Sequence, residues 1–215
     1  MDERPIRRAA SVLCGRDGTD GLEVLVVERG PDSRFLAGYV AFPGGAVDRD
    51  DEVLGSRWFG DGGQAHRAAA IRELAEETGL ALTSAGGVPA PEADHLGPVH
   101  ASPPAPGDLP EICHWVAPLD TPVRFDARYF GASLDGSLDP VPDGGETAAA
   151  WWTTPGALLE AWAAGDARLY WPTYLTVLHV AGCSTLADLL GLRFETREPT
   201  PEEYATLPRS VMEER

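Results

Sequence analysis

Lysine is absent from this 215-residue chain: all 17 basic residues are arginine, set against 34 acidic ones, for a formal net charge of −17. That balance excludes general nucleic-acid binding, which needs clustered cations to neutralise phosphates. Cysteine is scarce as well. Cys14, Cys113 and Cys183 lie far apart and form no CxxC pair, which excludes a disulfide framework or a zinc knuckle and suits reduced thiols in the cytoplasm. No apolar run approaches the roughly 20 residues that cross a bilayer. The charged first five residues are not followed by the apolar stretch of an export signal. A soluble, cytoplasmic protein without membrane or nucleic-acid partners is expected. If so acidic a chain handles phosphates, metal ions or a local arginine cluster must offset the repulsion.

What is present is enough for a core. With 43% hydrophobic and 24% charged residues, the chain suits one globular domain, or one domain with an appended helical segment. Residues 10–14 and 23–28 read as strands on either side of a turn-rich segment, which predicts an antiparallel hairpin. The apolar run 39–42 ends at Pro43-Gly44-Gly45, a strand stopping in a special loop. Residues 64–78, rich in Ala, Leu, Glu and Arg and closed by Gly79, predict a helix with a glycine C-cap. The Pro- and Gly-crowded stretch 84–109 predicts an irregular surface loop. Strands are expected over 111–119 and 127–134, and another ending at Trp151-Trp152. After Pro155 the pattern turns helical, with Leu158, Leu159 and Trp162 on one face and further helices over 174–181 and 185–190. The expected organisation is a mixed α/β core over 1–154, a helical appendix over 155–192, and an acidic, proline-punctuated tail over 193–215.

The chemically informative stretch runs from Arg72 to Leu80. On a helix turning about 100° per residue, Arg72, Glu73, Glu76 and Glu77 share an arc of roughly 140°. Three carboxylates on one face repel unless a cation compensates them, and hard oxygen donors suit Mg²⁺ or Mn²⁺. Taken alone, E-x-x-E-E also suits a solvated acidic face. The whole string R-E-L-x-E-E-x-G-L, with Pro43-Gly44-Gly45 upstream, resembles the box of the nudix hydrolases. The resemblance implies an α/β/α sandwich with a mixed sheet, and metals held by Glu73, Glu76 and Glu77. It further implies that Arg72 orients those carboxylates, and that Gly44 and Gly45 bring backbone close enough for a carbonyl to serve as another ligand.

The box is also interrupted. Gly45 and Arg72 are 27 positions apart, where the usual spacing is about 14 with a first glutamate about eight positions before the arginine. That glutamate's place falls on Gln64, while Asp51 and Glu52 lie on the glycine side of the insertion; any of the three is a candidate. The insertion, together with the strings at 34–38, 115–118 and 122–130, resembles the nudix branch that includes the peroxisomal coenzyme A diphosphatases. Coenzyme A or an acyl derivative is therefore the leading substrate, and ADP-ribose, NADH and dinucleoside polyphosphates carry the same scissile linkage. The resemblance spans roughly residues 11–190.

Nudix enzymes hydrolyse a nucleoside diphosphate linked to another group, so the resemblance implies water attack on phosphorus. Glu76, Glu77 and Glu146 are candidates for the general base; Glu146 precedes the Trp151-Trp152 strand and equally suits a plain loop carboxylate. Arg34, Arg124 and Arg128 are candidates to reach substrate phosphates through their planar forks, with structural ion pairing as the alternative. The aromatics at 151–152, 162 and 170–171 suit core packing or base stacking. A nudix-like module that senses a nucleotide without cleaving it is the rival reading, and the intact carboxylate set weighs against it. Many nudix hydrolases are homodimers, and the helical appendix and tail offer surface for that.

Overall fold

The structure, a computed structural model, describes residues 6–31, 33, 36–117, 124–134 and 137–196. The first hairpin pairs β1 (Ile6–Gly18) with β2 (Gly21–Arg29) in antiparallel register, Gly15 opposite Val24. β1 is the spine of the molecule. Along its other edge it runs parallel to β8 (Arg124–Ser133), from Ile6 opposite Arg124 to Gly15 opposite Ser133. β8 in turn pairs antiparallel with the edge strand β7 (Glu111–Val116). β2 carries β3 (Val40–Ala41) and β9 (Thr147–Thr153), and β4 (Gly44–Ala46) lies antiparallel on β1 at Ala9–Ser11. Among the described residues the sheet is thus mixed and seven-stranded, in the order β3-β2-β1-β8-β7 with β4 and β9 beside that path.

Side chains alternate across a strand, and that alternation sorts the core into two layers. Ala10, Val12 and Cys14 of β1, Leu25 of β2, and Phe130 and Ala132 of β8 face one side. There they meet α2 (Ala65–Thr78), whose Ala68–Ile71 and Leu74 are fully buried, and Trp58 of α1 (Arg49–Phe59). Leu13, Leu22, Val24, Val26 and Tyr129 face the other side. Helices α4 (Pro155–Ala164), α5 (Trp171–Val180) and α6 (Leu186–Gly191) cover them with Leu158, Trp171, Val177, Val180 and Leu189. Each such side chain contributes about 1.5–3 kcal/mol on burial. Trp115 of β7 donates its indole N–H to Thr176 Oγ1 at 3.0 Å, so the polar atom that comes with this ring is satisfied in the buried layer. The result is the expected α/β/α sandwich.

Two expectations change. Residues 84–109 are no irregular surface loop. After α2, β5 (Leu80–Thr83) and β6 (Gly86–Pro89) form a second hairpin, and α3 (Gly97–Ala101) follows with proline at its start, where a missing N–H is no loss. Val99 and Leu109 are fully buried against α2's layer; the prolines set turns between short elements. The inserted part of the box contains α1, a helix with little apolar periodicity of its own. α5 also begins three residues before the expected 174. Residues 118–119 of the expected strand and the tail beyond 196 lie outside the described residues. Among those described, no helix is long and apolar enough to cross a membrane.

Candidate active site

α2 ends at Gly79, whose φ of 63° gives the left-handed C-cap. The last turns of the helix point Arg72, Glu73, Glu76 and Glu77 at the strand end where β3 passes into β4. Arg72 organises this group. Its Nε and Nη2 grip Asp51 at 2.9 and 3.0 Å, its Nη1 reaches Glu73 and Glu76 at 2.9 Å each, and Nη2 also donates to the Ala46 carbonyl at 3.1 Å. A guanidinium has five N–H donors, and all five are engaged. Arg72 therefore aims carboxylates and has no donor left for a substrate. Burial pulls its pKa down, but the bond to Asp51 and the charges of Glu73, Asp51 and Glu76 outweigh that, so the net shift is upward.

Of the three candidates in the interrupted box, Asp51 is the one that contacts Arg72. It is completely buried, and besides Arg72 it accepts the Asp48 N–H at 2.8 Å, closing the first turn of α1. Glu52 instead pairs with Arg8 at 2.9 Å on the surface, and Gln64 accepts from Arg67 at 2.5 Å. Neither reaches Arg72.

Glycine is required where β4 meets the helix. A Cβ on Gly45 would overlap the Glu73 carboxylate, and one on Gly44 would overlap the Ala10 carbonyl and Ser11. The Gly44 N–H is free to donate to Glu77 at 2.9 Å. Glu146, on the loop before β9, is anchored through its backbone: its carbonyl accepts from Gly30 N–H at 2.7 Å, and its N–H donates to Asp143 at 3.3 Å. These groups border one cavity of about 550 Å³, lined among others by Gly44, Gly45, Asp48, Arg72, Glu73, Glu76, Glu77 and Glu146.

The NUDIX domain profile matches residues 5–171, most of the chain. The chain belongs to the nudix family. A solved nudix hydrolase from Alicyclobacillus acidocaldarius is similar at 31% identity and a TM-score of 0.76, over 88% of this chain and 97% of that one. A curated Caenorhabditis elegans relative named among the nudix hydrolases is 38% identical over 80 residues, 37% of this chain. The chain spans about a quarter of that relative's length, 24%.

Within this nudix site, charge is unbalanced. Among the described residues, five carboxylates (Asp48, Glu73, Glu76, Glu77 and Glu146) face three guanidiniums (Arg7, Arg29 and Arg72) around the cavity. Burial, with Glu73's charge next, pushes the Glu77 carboxyl up to about 8 against the pull of the Gly44 N–H and Arg29. Burial also raises Glu73, opposed by Arg72. Carboxylates held this far from comfortable ionisation are what a divalent cation relieves, and the donors are all hard oxygens. The donor set fits Mg²⁺ or Mn²⁺. Among the described residues no three of these groups already converge as a ligand cage: Glu73 and Glu76 turn to Arg72 and Glu77 to Gly44.

Of the arginines expected to reach substrate, Arg124 and Arg128 do not line this cavity. Arg124 and Arg128 sit at even positions of β8, on the face opposite Phe125, Ala127 and Tyr129, and it is the odd face that lines the cavity. Arg124 donates to the Ala117 carbonyl at 3.3 Å and Arg128 pairs with Glu111 at 3.2 Å. Arg34 lies outside the described residues. The cavity is bordered instead by Arg7 and Arg29, which sequence reasoning missed. Pairing of β1 with β8 would have been the signal, since it sets Arg7 beside Phe125. Trp162 and Trp171 belong to the second core layer, as expected of packing aromatics.

Proposed function

We propose that this protein is a metal-dependent hydrolase of a nucleoside diphosphate-linked substrate, with coenzyme A or an acyl-coenzyme A as the leading candidate. The observation that carries the reaction class is the assembly of Glu73, Glu76, Glu77 and Glu146 around one cavity, with Arg72 saturated by carboxylates at its rim. The substrate rests on the interrupted box and the flanking strings that resemble the coenzyme A diphosphatase branch.

Glu73, Glu76 and Glu77 would hold the cations, with the Gly45 backbone as a further oxygen donor. A divalent cation such as Mg²⁺ or Mn²⁺ held by these residues would supply a lowered water pKa and charge neutralisation at the diphosphate oxygens. Arg72 keeps Glu73 and Glu76 in place and so positions the ligands. Glu146 lines the same cavity from the loop before β9 and is exposed, with no side-chain hydrogen bond among the described residues. It takes the proton of the attacking water, a role that needs an accessible carboxylate near the nucleophile. Arg29, close enough to Glu77 to lower its pKa, meets substrate phosphate from the β2 side.

The test is a panel of coenzyme A, acetyl-coenzyme A, ADP-ribose, NADH and diadenosine polyphosphates, with and without Mg²⁺ or Mn²⁺, alongside Glu76→Gln, Glu77→Gln and Glu146→Gln. Metal-dependent cleavage of coenzyme A that the first two substitutions abolish is expected. Cleavage of another compound alone would discard the substrate and keep the chemistry. Tight binding without any cleavage would replace the hydrolase with a nucleotide sensor.

A further inference from the structure

The cavity continues well past the carboxylates, along the odd face of β1 and β8. Parallel register sets Arg7 beside Phe125, Ala9 beside Ala127 and Ser11 beside Tyr129, and Trp115 of β7 lies next to Ala127 on its far side. All of these side chains line the cavity. Two alanines therefore form a low floor between neighbouring strands about 4.8 Å apart, with Phe125, Trp115 and Tyr129 rising around it. Tyr170 and Pro172, at the start of α5, line the same space. The floor begins where the glycine loop ends, because Ala46 pairs with Ala9 and Gly45 with Ala10. Arg7 stands two residues further along β1, about 7 Å beyond Ala9. Its side chain is exposed and makes no ion pair or hydrogen bond among the described residues.

These features describe a second station. A flat, apolar slot with aromatic walls suits a planar ring, which stacks or packs edge-on at little entropic cost. An arginine at its mouth, in a chain of net charge −17, is placed for an anion, and a guanidinium fork favours phosphate. We propose that the slot over Ala9 and Ala127 takes the base of the substrate's nucleoside, and that Arg7 binds a phosphate carried on that nucleoside in addition to the diphosphate. Arg7 is then the residue that selects nucleotides with an extra sugar phosphate over those without one. The assignment rests on the hydrolase reading only for placing the diphosphate beside Gly45.

Binding of adenosine 3′,5′-bisphosphate and of AMP to the full chain, measured by titration calorimetry, tests it without relying on turnover. The wild-type protein should bind the bisphosphate about tenfold more tightly, a preference an exposed charge-assisted contact can supply. Arg7→Ala should erase that preference and leave the AMP Kd within about twofold. Ala127→Leu, which fills the slot, should weaken both ligands by about tenfold or more at an unchanged melting temperature. Equal binding of the two ligands by wild type, an equal loss of both in Arg7→Ala, or wild-type affinity in a folded Ala127→Leu would each overturn the proposal. The preference without cleavage of any diphosphate would leave the slot standing and remove the hydrolase; cleavage without the preference would do the reverse.

Discussion

Asp51 and Arg72 form a pair in which one member is fully buried and the other is saturated only while its partner is present. Removing Asp51 leaves two donors of the Arg72 guanidinium, at Nε and Nη2, unsatisfied beside a buried gap, at about 3 kcal/mol. Asp51→Ala should therefore lower the urea-unfolding free energy by about that amount, whereas Glu52→Ala, which breaks only a half-exposed pair with Arg8, should stay within about 0.5 kcal/mol. Equal effects would mean that the buried pair does not anchor the site. Glu77 makes a prediction in pH. Its carboxyl is raised from 4.5 to about 8 in the folded chain, so the folded state keeps a proton that the unfolded chain releases near its ordinary pKa. Stability without metal is then fully present below about pH 4.5 and declines as pH rises through about 8, the reverse of a salt-bridged carboxylate. Melting of the metal-free protein from pH 5 to 8.5 should show that decline, Glu77→Gln should flatten it, and Mn²⁺ should cancel it because ligation expels the proton. A flat wild-type profile would contradict the burial assigned to this group.

Elements differ in how openly the sequence announces them. α2 was legible because its helix formers run unbroken to Gly79, and the carboxylate face followed from its pitch. α1 was not, because Arg49–Phe59 is mostly polar and becomes a helix through contacts distant in sequence: Asp51 with Arg72, and Trp58 with His100 at 2.9 Å. Asp51 itself had a signal, since it follows Gly45 by six positions, the glycine-to-glutamate distance of an uninterrupted box. That spacing pointed to an insertion after Asp51, but not to a helix returning Asp51 to the arginine. β8 shows a different limit. Period two puts Arg124 and Arg128 on one face together, but only the docking of helices decides which face borders the cavity. Within that largely apolar docking, Trp115 of the sheet donates to Thr176 of α5 at 3.0 Å. Thr176→Val keeps the shape and orphans the Trp115 N–H, which should cost about 1–3 kcal/mol. Trp115→Phe in the Thr176→Val background removes the orphan, so the double variant should be destabilised by less than the sum of the single ones. Strict additivity in thermal denaturation would show that the bond contributes nothing.

At the scale of the whole molecule, the question is whether the last three helices are an appendix or half of the protein. Leu158, Trp171, Val177, Val180 and Leu189 are nearly or fully buried, and together with Leu169 and Phe194 of the adjoining segments they cover the second face of the sheet. At about 1.5–3 kcal/mol each, those five side chains hold roughly as much free energy as the whole net stability of a typical domain, about 5–15 kcal/mol. Detaching α4–α6 would also bare Leu13, Val24, Val26 and Trp115, so a state with the helices released and the sheet intact has nothing to sustain it. The cavity depends on the same contact, because its lining comes from α2 and β4 on one side and from the start of α5 on the other. Folding and assembly of the site should accordingly be one event. In urea, far-UV circular dichroism and tryptophan fluorescence should trace a single coincident transition, and amides of α5 should exchange hydrogen as slowly as those of α2. If fluorescence changes first while the sheet and α2 stay protected, the helices are a separable appendix, and the expected boundary near residue 154 marks a true unit of folding.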